Sequence, residues 1–264
     1  MNSSKFAHQL YACGNKGMPE QIALRDNNYS LQKILKHDFF AATALYQSDK
    51  QLQPDKIILK LNRQHHFLGI PLQWLGMLIC AHEVCILQRL NEIPNVPKLL
   101  SVYNETGFIY GYIEGKCLNE TKKLPNDFFD KLLELLQQIH SLNIVYLDMN
   151  KRSNIIVGSD GQPYMIDFQI SLHLKERFLF SKTVSRYSRQ VLQKSDLYHI
   201  YKHKRKLCPD LLEPHEQALS RRKSNWIKLH RLIATPFRKL RRSILEFLHT
   251  KGFTAIEDDH NGGN

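Results

Sequence analysis

Val145-Tyr146-Leu147-Asp148-Met149-Asn150-Lys151-Arg152-Ser153-Asn154-Ile155-Ile156-Val157, followed shortly by Tyr164-Met165-Ile166-Asp167-Phe168-Gln169, is the stretch from which the rest of the chain can be read. Two apolar triplets, 155–157 and 164–166, flank Gly158-Ser159-Asp160-Gly161, which has the turn chemistry of a β-hairpin. Asn154 precedes the first strand and Asp167 follows the second, so the hairpin brings an amide and a carboxylate to neighbouring positions. Two hard oxygen ligands of this kind suit Mg²⁺, which keeps several waters and completes its shell with substrate phosphates. Asp148, on the preceding loop, is placed to orient an attacking hydroxyl and accept its proton. Positioning and charge stabilisation carry most of phosphoryl transfer, so such a carboxylate needs no raised pKa.

Working upstream, Lys56-Ile57-Ile58-Leu59-Lys60-Leu61 is short and β-branched, a buried strand. Residues 30–35 and 39–46 are strand-like around the turn Lys36-His37-Asp38. Residues 72–90 carry Leu75, Leu78, Ile79, Val84, Ile86, Leu87 and Leu90 at helical spacing, with Pro94 and Pro97 beyond the end. Strands are predicted at 99–102 and 108–113, on either side of a turn at 104–107, before Glu114-Gly115-Lys116 breaks the pattern. Downstream the periodicity is helical. Asn126-Asp127 is a cap signal for a helix with Phe129, Leu132, Leu133, Leu136 and Ile139 on one face. Residues 190–204, 211–220 and 226–248 are further helix candidates, the last interrupted at Pro236.

The expected organisation is an α+β chain of two lobes. An N-terminal extension (1–28) leads into a small β-rich lobe with one long helix (29–113). A hinge (114–117), a mainly helical lobe (118–251) and a disordered tail (252–264) follow.

The ordered set of residues resembles the catalytic and metal-binding loops of the protein-kinase-like superfamily. It is most similar to the minimal bacterial and RIO-like branches, with lipopolysaccharide-core sugar kinases as neighbours. The family's H-R-D-x-x-x-x-N corresponds to Tyr146-Leu147-Asp148 with Asn154, and its D-F-G to Asp167-Phe168-Gln169. The resemblance implies a bilobal protein-kinase-like fold and the transfer of the γ-phosphoryl of ATP to a hydroxyl, on a protein Ser/Thr or on a sugar or lipid-linked sugar. It implies Asp148 as catalytic base or hydroxyl positioner, Asn154 and Asp167 as Mg²⁺ ligands, and Lys151 as the loop lysine that steadies the transferred phosphate. Lys60 resembles the lysine that meets the α- and β-phosphates, and Glu83 its ion-pair partner on the following helix. Backbone groups of Tyr112, Ile113 and Glu114 would hold the adenine edge. Asp196-Leu197-Tyr198 resembles the segment whose aspartate braces the catalytic loop from beneath.

The chain departs from the family pattern at several points. The Asp148-to-Asn154 spacing is one residue longer, so the loop must bulge. Gln169 stands where Gly usually follows Asp-Phe, which reduces backbone freedom there. No G-x-G-x-x-G precedes Lys60, and the equivalent turn is Lys36-His37-Asp38-Phe39-Phe40-Ala41-Ala42. No A-P-E follows Asp167. Two alternatives therefore accompany the phosphotransferase: a pseudokinase that binds nucleotide, and a RIO-like RNA- or ribosome-associated ATPase.

At 264 residues, 42% hydrophobic and 23% charged, the composition excludes a disordered or collagen-like chain. No apolar run approaches the roughly 18 residues of a membrane-spanning helix, and residues 1–12 lack the apolar core of a signal peptide. A cytoplasmic location is expected, with the inner face of the membrane as a peripheral alternative. Five scattered cysteines form no C-x-x-C pair, and thirteen histidines show no metal-ligand spacing, so reduced thiols and ordinary packing histidines are expected. Thirty-seven basic against twenty-five acidic residues leave a net charge of +12, which favours an anionic partner. Residues 220–251 concentrate this charge among aromatic and aliphatic residues. Such a segment suits an anionic membrane surface or RNA phosphates.

Overall fold

The computed structural model describes residues 8–50, 53–175 and 182–221. The expected helices at 226–248, most of the basic segment and the tail 252–264 lie outside the described residues.

Short β-branched and apolar runs separated by turn residues build the first lobe. Strands β1 (Gln21–Leu24), β2 (Asn27–His37), β3 (Ala41–Ser48), β4 (Lys56–Asn62), β5 (Leu99–Asn104) and β6 (Gly107–Gly111) form one antiparallel sheet in the order β1-β2-β3-β4-β6-β5. A strand in the middle of a covered sheet must be apolar on both faces. β4 meets that demand, with Ile57, Ile58, Leu59 and Leu61 all buried. Lys60 is buried among them, a costly position for an ammonium unless anions meet it.

Helix α1 (Gln73–Arg89) follows β4 and buries Gly76, Cys80, Glu83, Val84, Ile86 and Leu87. Gly76 permits close approach: a Cβ there would collide with the Arg63 carbonyl just beyond β4. The buried face is not quite the one expected from apolar spacing, since Leu78 is 60% exposed and Trp74 56%. Gly76, Cys80 and Glu83 join Val84, Ile86 and Leu87 on the buried face, which leaves Trp74 and Leu78 outside.

The second lobe comprises β7 (Gly115–Cys117), α2 (Phe128–Ser141), β8 (Ile144–Val145), β9 (Ile155–Gly158), β10 (Pro163–Met165), β11 (Leu172–His173), α3 (Lys182–Leu207) and α4 (Pro214–Arg221). The hairpin read from 155–166 is the antiparallel β9–β10 pair, and β7 lies on its other edge. α2 buries Phe128, Phe129, Leu132, Leu135, Leu136 and Ile139. Each such side chain contributes about 1.5–3 kcal/mol of hydrophobic stabilisation. Their cluster continues through Tyr146, Met149, Ile155, Met165 and Phe168 to Cys80, Val84 and Leu87 of α1, so this core is shared by both lobes, while a second cluster that includes Tyr29, Tyr46 and Ile57 belongs to the first lobe.

Four expectations are corrected. The described part of residues 1–28 is not a separate extension: β1 pairs with β2, and Ala12, Cys13, Met18, Ile22 and Leu24 join the core under the first sheet. The segment is too short and irregular for its periodicity to show. The connector is displaced from 114–117: Gly115–Cys117 pairs with β9, and the link left between β6 and β7 is Tyr112, Ile113 and Glu114. Asp127 sits at the N-cap of α2, but its carboxylate pairs with Lys131 at 2.7 Å and caps no backbone group. The helix expected from residue 190 begins at Lys182, and the one expected from 211 begins at Pro214 after a 3-10 turn.

Candidate functional site

Two groups of polar side chains face each other where the lobes meet. The first centres on Lys60. Its Nζ lies 2.9 Å from Glu83 Oε1 and 2.8 Å from Oε2, and donates to Asp167 Oδ1 at 2.9 Å. Burial works against the ammonium, but Asp167 and Glu83 together outweigh it and raise its pKa. Burial likewise dominates at Glu83 and raises its pKa, despite the ammonium and a hydrogen bond from the Phe168 backbone. At Asp167 the balance is opposite. Burial would raise its pKa, yet Lys60, with smaller help from Lys36 and Lys151, holds the carboxyl down to about 2.

The second group centres on Asp148. Its Oδ2 accepts from Asn154 Nδ2 at 2.8 Å and lies 2.7 Å from Lys151 Nζ. Burial is the largest influence on Asp148 and raises its pKa, and the charge of Asp167 acts in the same direction. The two carboxylates thus feel each other across the site. Because a carboxylate only accepts, Asn154 must present its N–H to Asp148, leaving its amide oxygen as the end able to meet a cation.

The extra residue between Asp148 and Asn154 does not disturb this arrangement. Lys151 N–H closes a turn onto Asp148 C=O at 3.1 Å, and Asn154 N–H closes another onto Lys151 C=O at 3.2 Å. Two successive turns absorb the added length, as the expected bulge requires.

Backbone strain is held in place by specific partners. Leu147 and Asp167 have φ of 66° and 60°, a left-handed conformation that costs a non-glycine residue about 1–2 kcal/mol. Asp196, on α3, accepts from the Tyr146 and Leu147 N–H groups at 2.9 Å each and from His140 Nε2 at 3.0 Å. The Tyr146 hydroxyl donates to the Ile166 carbonyl, and its ring packs edge-on against Phe168 with centroids 5.1 Å apart. Tyr146 therefore locks the Asp148 loop to the Asp167 loop. His82 of α1 meets the Ser171 carbonyl at 2.7 Å, tying that helix to the same segment.

All of Lys60, Glu83, Asp148, Lys151, Asn154 and Asp167 converge. Tyr112, Ile113 and Glu114 lie at the connector, where the Tyr112 N–H contacts Lys56 C=O at 3.4 Å and Glu114 C=O accepts from Ser159 at 3.0 Å. Ile113 lies between these two bonded residues in the connector.

His203, which the sequence offers only as a surface or packing histidine, is buried. Its Nε2 donates to Met149 C=O at 2.9 Å, leaving Nδ1 to accept from Arg152 Nε at 3.4 Å. Burial, aided by the nearby Arg152, Lys202 and Lys206 charges, holds its pKa down to about 4. Its signal was the seven-residue step from Asp196, two helical turns along one face of α3.

Among the described residues no group of three or more His, Cys, Asp or Glu could hold a metal ion. The Asn154 amide oxygen with the Asp167 carboxylate is the sparse donor set that fits Mg²⁺ rather than a caged metal.

A β-sheet lobe with one helix bearing the lysine's partner, joined to a mainly helical lobe bearing the acids, defines a protein-kinase-like fold. Comparison with solved structures agrees. The Rio2 kinase–ADP/Mg2+–phosphoaspartate complex from Chaetomium thermophilum is similar with a TM-score of 0.51 at 12% identity, over 67% of this chain and 56% of that one. A second structure of Rio2 kinase from the same organism gives 0.52 at 13% identity, over 68% and 57%. In sequence, the chain is 33% identical over 94 residues to serine/threonine-protein kinase D of Synechocystis sp.. That similarity covers 33% of this chain and only 19% of the relative. No family model matches the chain.

Proposed function

We propose that the protein is an ATP- and Mg²⁺-dependent phosphotransferase acting on a hydroxyl acceptor. The observation that carries this reading is the convergence of the Lys60–Glu83–Asp167 cluster with the Asp148–Asn154–Lys151 cluster at one cleft. Lys60, oriented by Glu83, is the anchor for the α- and β-phosphates, and the Ile113 backbone is the adenine contact. Asn154 and Asp167 would hold Mg²⁺, which when bound neutralises charge on the phosphates. Asp148 accepts the proton of the acceptor hydroxyl as its oxygen bonds to the γ-phosphorus and ADP departs. Its pKa, raised by burial, makes it a better proton acceptor than an exposed aspartate. Lys151, beside Asp148, offsets negative charge on the moving phosphoryl group.

A protein Ser/Thr and a sugar or lipid-linked sugar are the two acceptor classes considered. The ADP/Mg2+ bound to the Rio2 neighbour supports the nucleotide and the metal. Its phosphoaspartate supports a carboxylate near the γ-phosphate position. Phosphate release and transfer from γ-labelled ATP into cell extract should be measured for wild type, Asp148→Asn and Asp167→Ala. Both variants should lose about 10²-fold or more while remaining folded. Full activity in either would reject the role given to that residue. Nucleotide binding without turnover by the wild type would instead favour the pseudokinase.

A further inference from the structure

The turn between β2 and β3 lies close enough to the cleft for the charges of Lys36 and Asp38 to be felt at Asp167 and Lys151, yet its backbone is poorly supplied with donors for a phosphate. The Phe40 and Ala41 N–H groups both donate to Asp38 Oδ1, at 2.8 and 3.0 Å, and the Asp38 N–H donates to Ala41 C=O at 2.9 Å. Arg63 takes the Phe39 carbonyl at 2.8 Å, and its guanidinium stacks 3.8 Å above the Phe39 ring, so the turn is pinned in this form. A glycine-free turn with its Phe40 and Ala41 N–H groups committed to a carboxylate has few backbone donors left for a phosphate.

The strand register offers a substitute. Lys36 on β2 pairs with Thr43 on β3, and Thr43 pairs with Lys60 on β4. Directly opposed residues of an antiparallel ladder point to the same face, so the two lysines stand in one row, about 10 Å apart across two strands. Lys60 shows that this face is the cleft, since its ammonium meets Asp167. The Lys36 side chain is 53% exposed, and its Nζ lies 2.8 Å from Asp38 Oδ2, an exposed ion pair that is easily exchanged. It also sits close enough for its charge to favour the Asp167 carboxylate.

We propose that Lys36 is a second phosphate-binding cation of the nucleotide site, exchanging Asp38 for a terminal phosphate oxygen in place of the missing backbone donors. The proposal rests on the nucleotide reading above. Lysine suits the role, being a point charge on a flexible stem that reaches a phosphate without a fixed geometry.

Calorimetric titrations of the full chain with Mg·ATP and with adenosine provide the test, for wild type, Lys36→Ala, Lys36→Arg and Lys50→Ala. Lys50 lies two residues beyond the end of β3, at the opposite end from the Lys36 turn, and controls for the loss of one charge. Lys36→Ala should bind Mg·ATP about tenfold more weakly, or worse, with adenosine affinity unchanged. Lys36→Arg should recover most of the loss, and Lys50→Ala should match wild type. Equal Mg·ATP affinity in wild type and Lys36→Ala overturns the proposal alone. An equal fall in Lys50→Ala also overturns it, by showing a general charge effect. Failure of the wild type to bind Mg·ATP overturns both the proposal and the nucleotide reading.

Discussion

Asp196 holds the Leu147 N–H at 2.9 Å across 49 residues of sequence, and so fixes the left-handed turn that delivers Asp148 to the cleft. Since the carboxylate also takes the Tyr146 N–H and His140, Asp196→Ala leaves three donors without their partner. The expected loss is about 3 kcal/mol or more, because hydrogen bonds to charged groups contribute about 1.5–3 kcal/mol each. Urea denaturation checks the stability, and phosphate release should fall even at temperatures where the variant is folded.

Acid should act on the protein in two separable windows. His203 has a folded pKa lowered to about 4 against an ordinary value near 6.5, so it stabilises the fold fully above the ordinary value. That contribution is lost as pH falls from about 6.5 towards 4, because the unfolded state takes up the proton first. Asp167, lowered to about 2, contributes fully above its ordinary value near 4 and loses that contribution as pH falls further. Unfolding free energy should therefore drop in both windows for wild type. His203→Gln should flatten the first window only, and Asp167→Asn the second only. A wild-type profile flat between pH 6.5 and 4 would contradict the His203 assignment.

Gly76→Ala places a methyl group against the Arg63 carbonyl, where backbone rather than a flexible side chain must yield. α1 should move away from β4 and carry Glu83 with it. The measurable result is a stability loss of about 1–3 kcal/mol, with weaker Mg·ATP binding.

Arg63 is fully buried and donates to the carbonyls of Phe39, Gln9 and His66 at 2.8, 2.7 and 3.1 Å. Arg63→Met keeps much of the volume but strands those carbonyls. Thermal unfolding should report a loss of about 3 kcal/mol.

Much of this was legible in the residues because it depends on short-range pattern. The hairpin around Gly158–Gly161 and the helix through Leu132 and Leu136 follow from turn chemistry and period alone. The ordered appearance of Lys60, Glu83, Asp148, Asn154 and Asp167 marked the cleft before any geometry was known. What stayed hidden depends on long-range pairing. β1 gains its place only by pairing with β2, and the connector shifts only because Gly115–Cys117 finds β9. The roles of Asp38 and His203 arise from what lies opposite them, Phe40 and Ala41 in one case and Met149 in the other. Leu78 has the right spacing but stays exposed, since Gly76, Cys80 and Glu83 take inward positions beside Val84, Ile86 and Leu87.

The link at Tyr112, Ile113 and Glu114 divides the two polar clusters unequally between the lobes. The Asp148–Asn154 bond belongs wholly to one lobe, whereas the Lys60–Asp167 contact bridges the two. Loss of the Lys60–Asp167 contact would therefore loosen the joint between the lobes and leave the Asp148–Asn154 pair assembled.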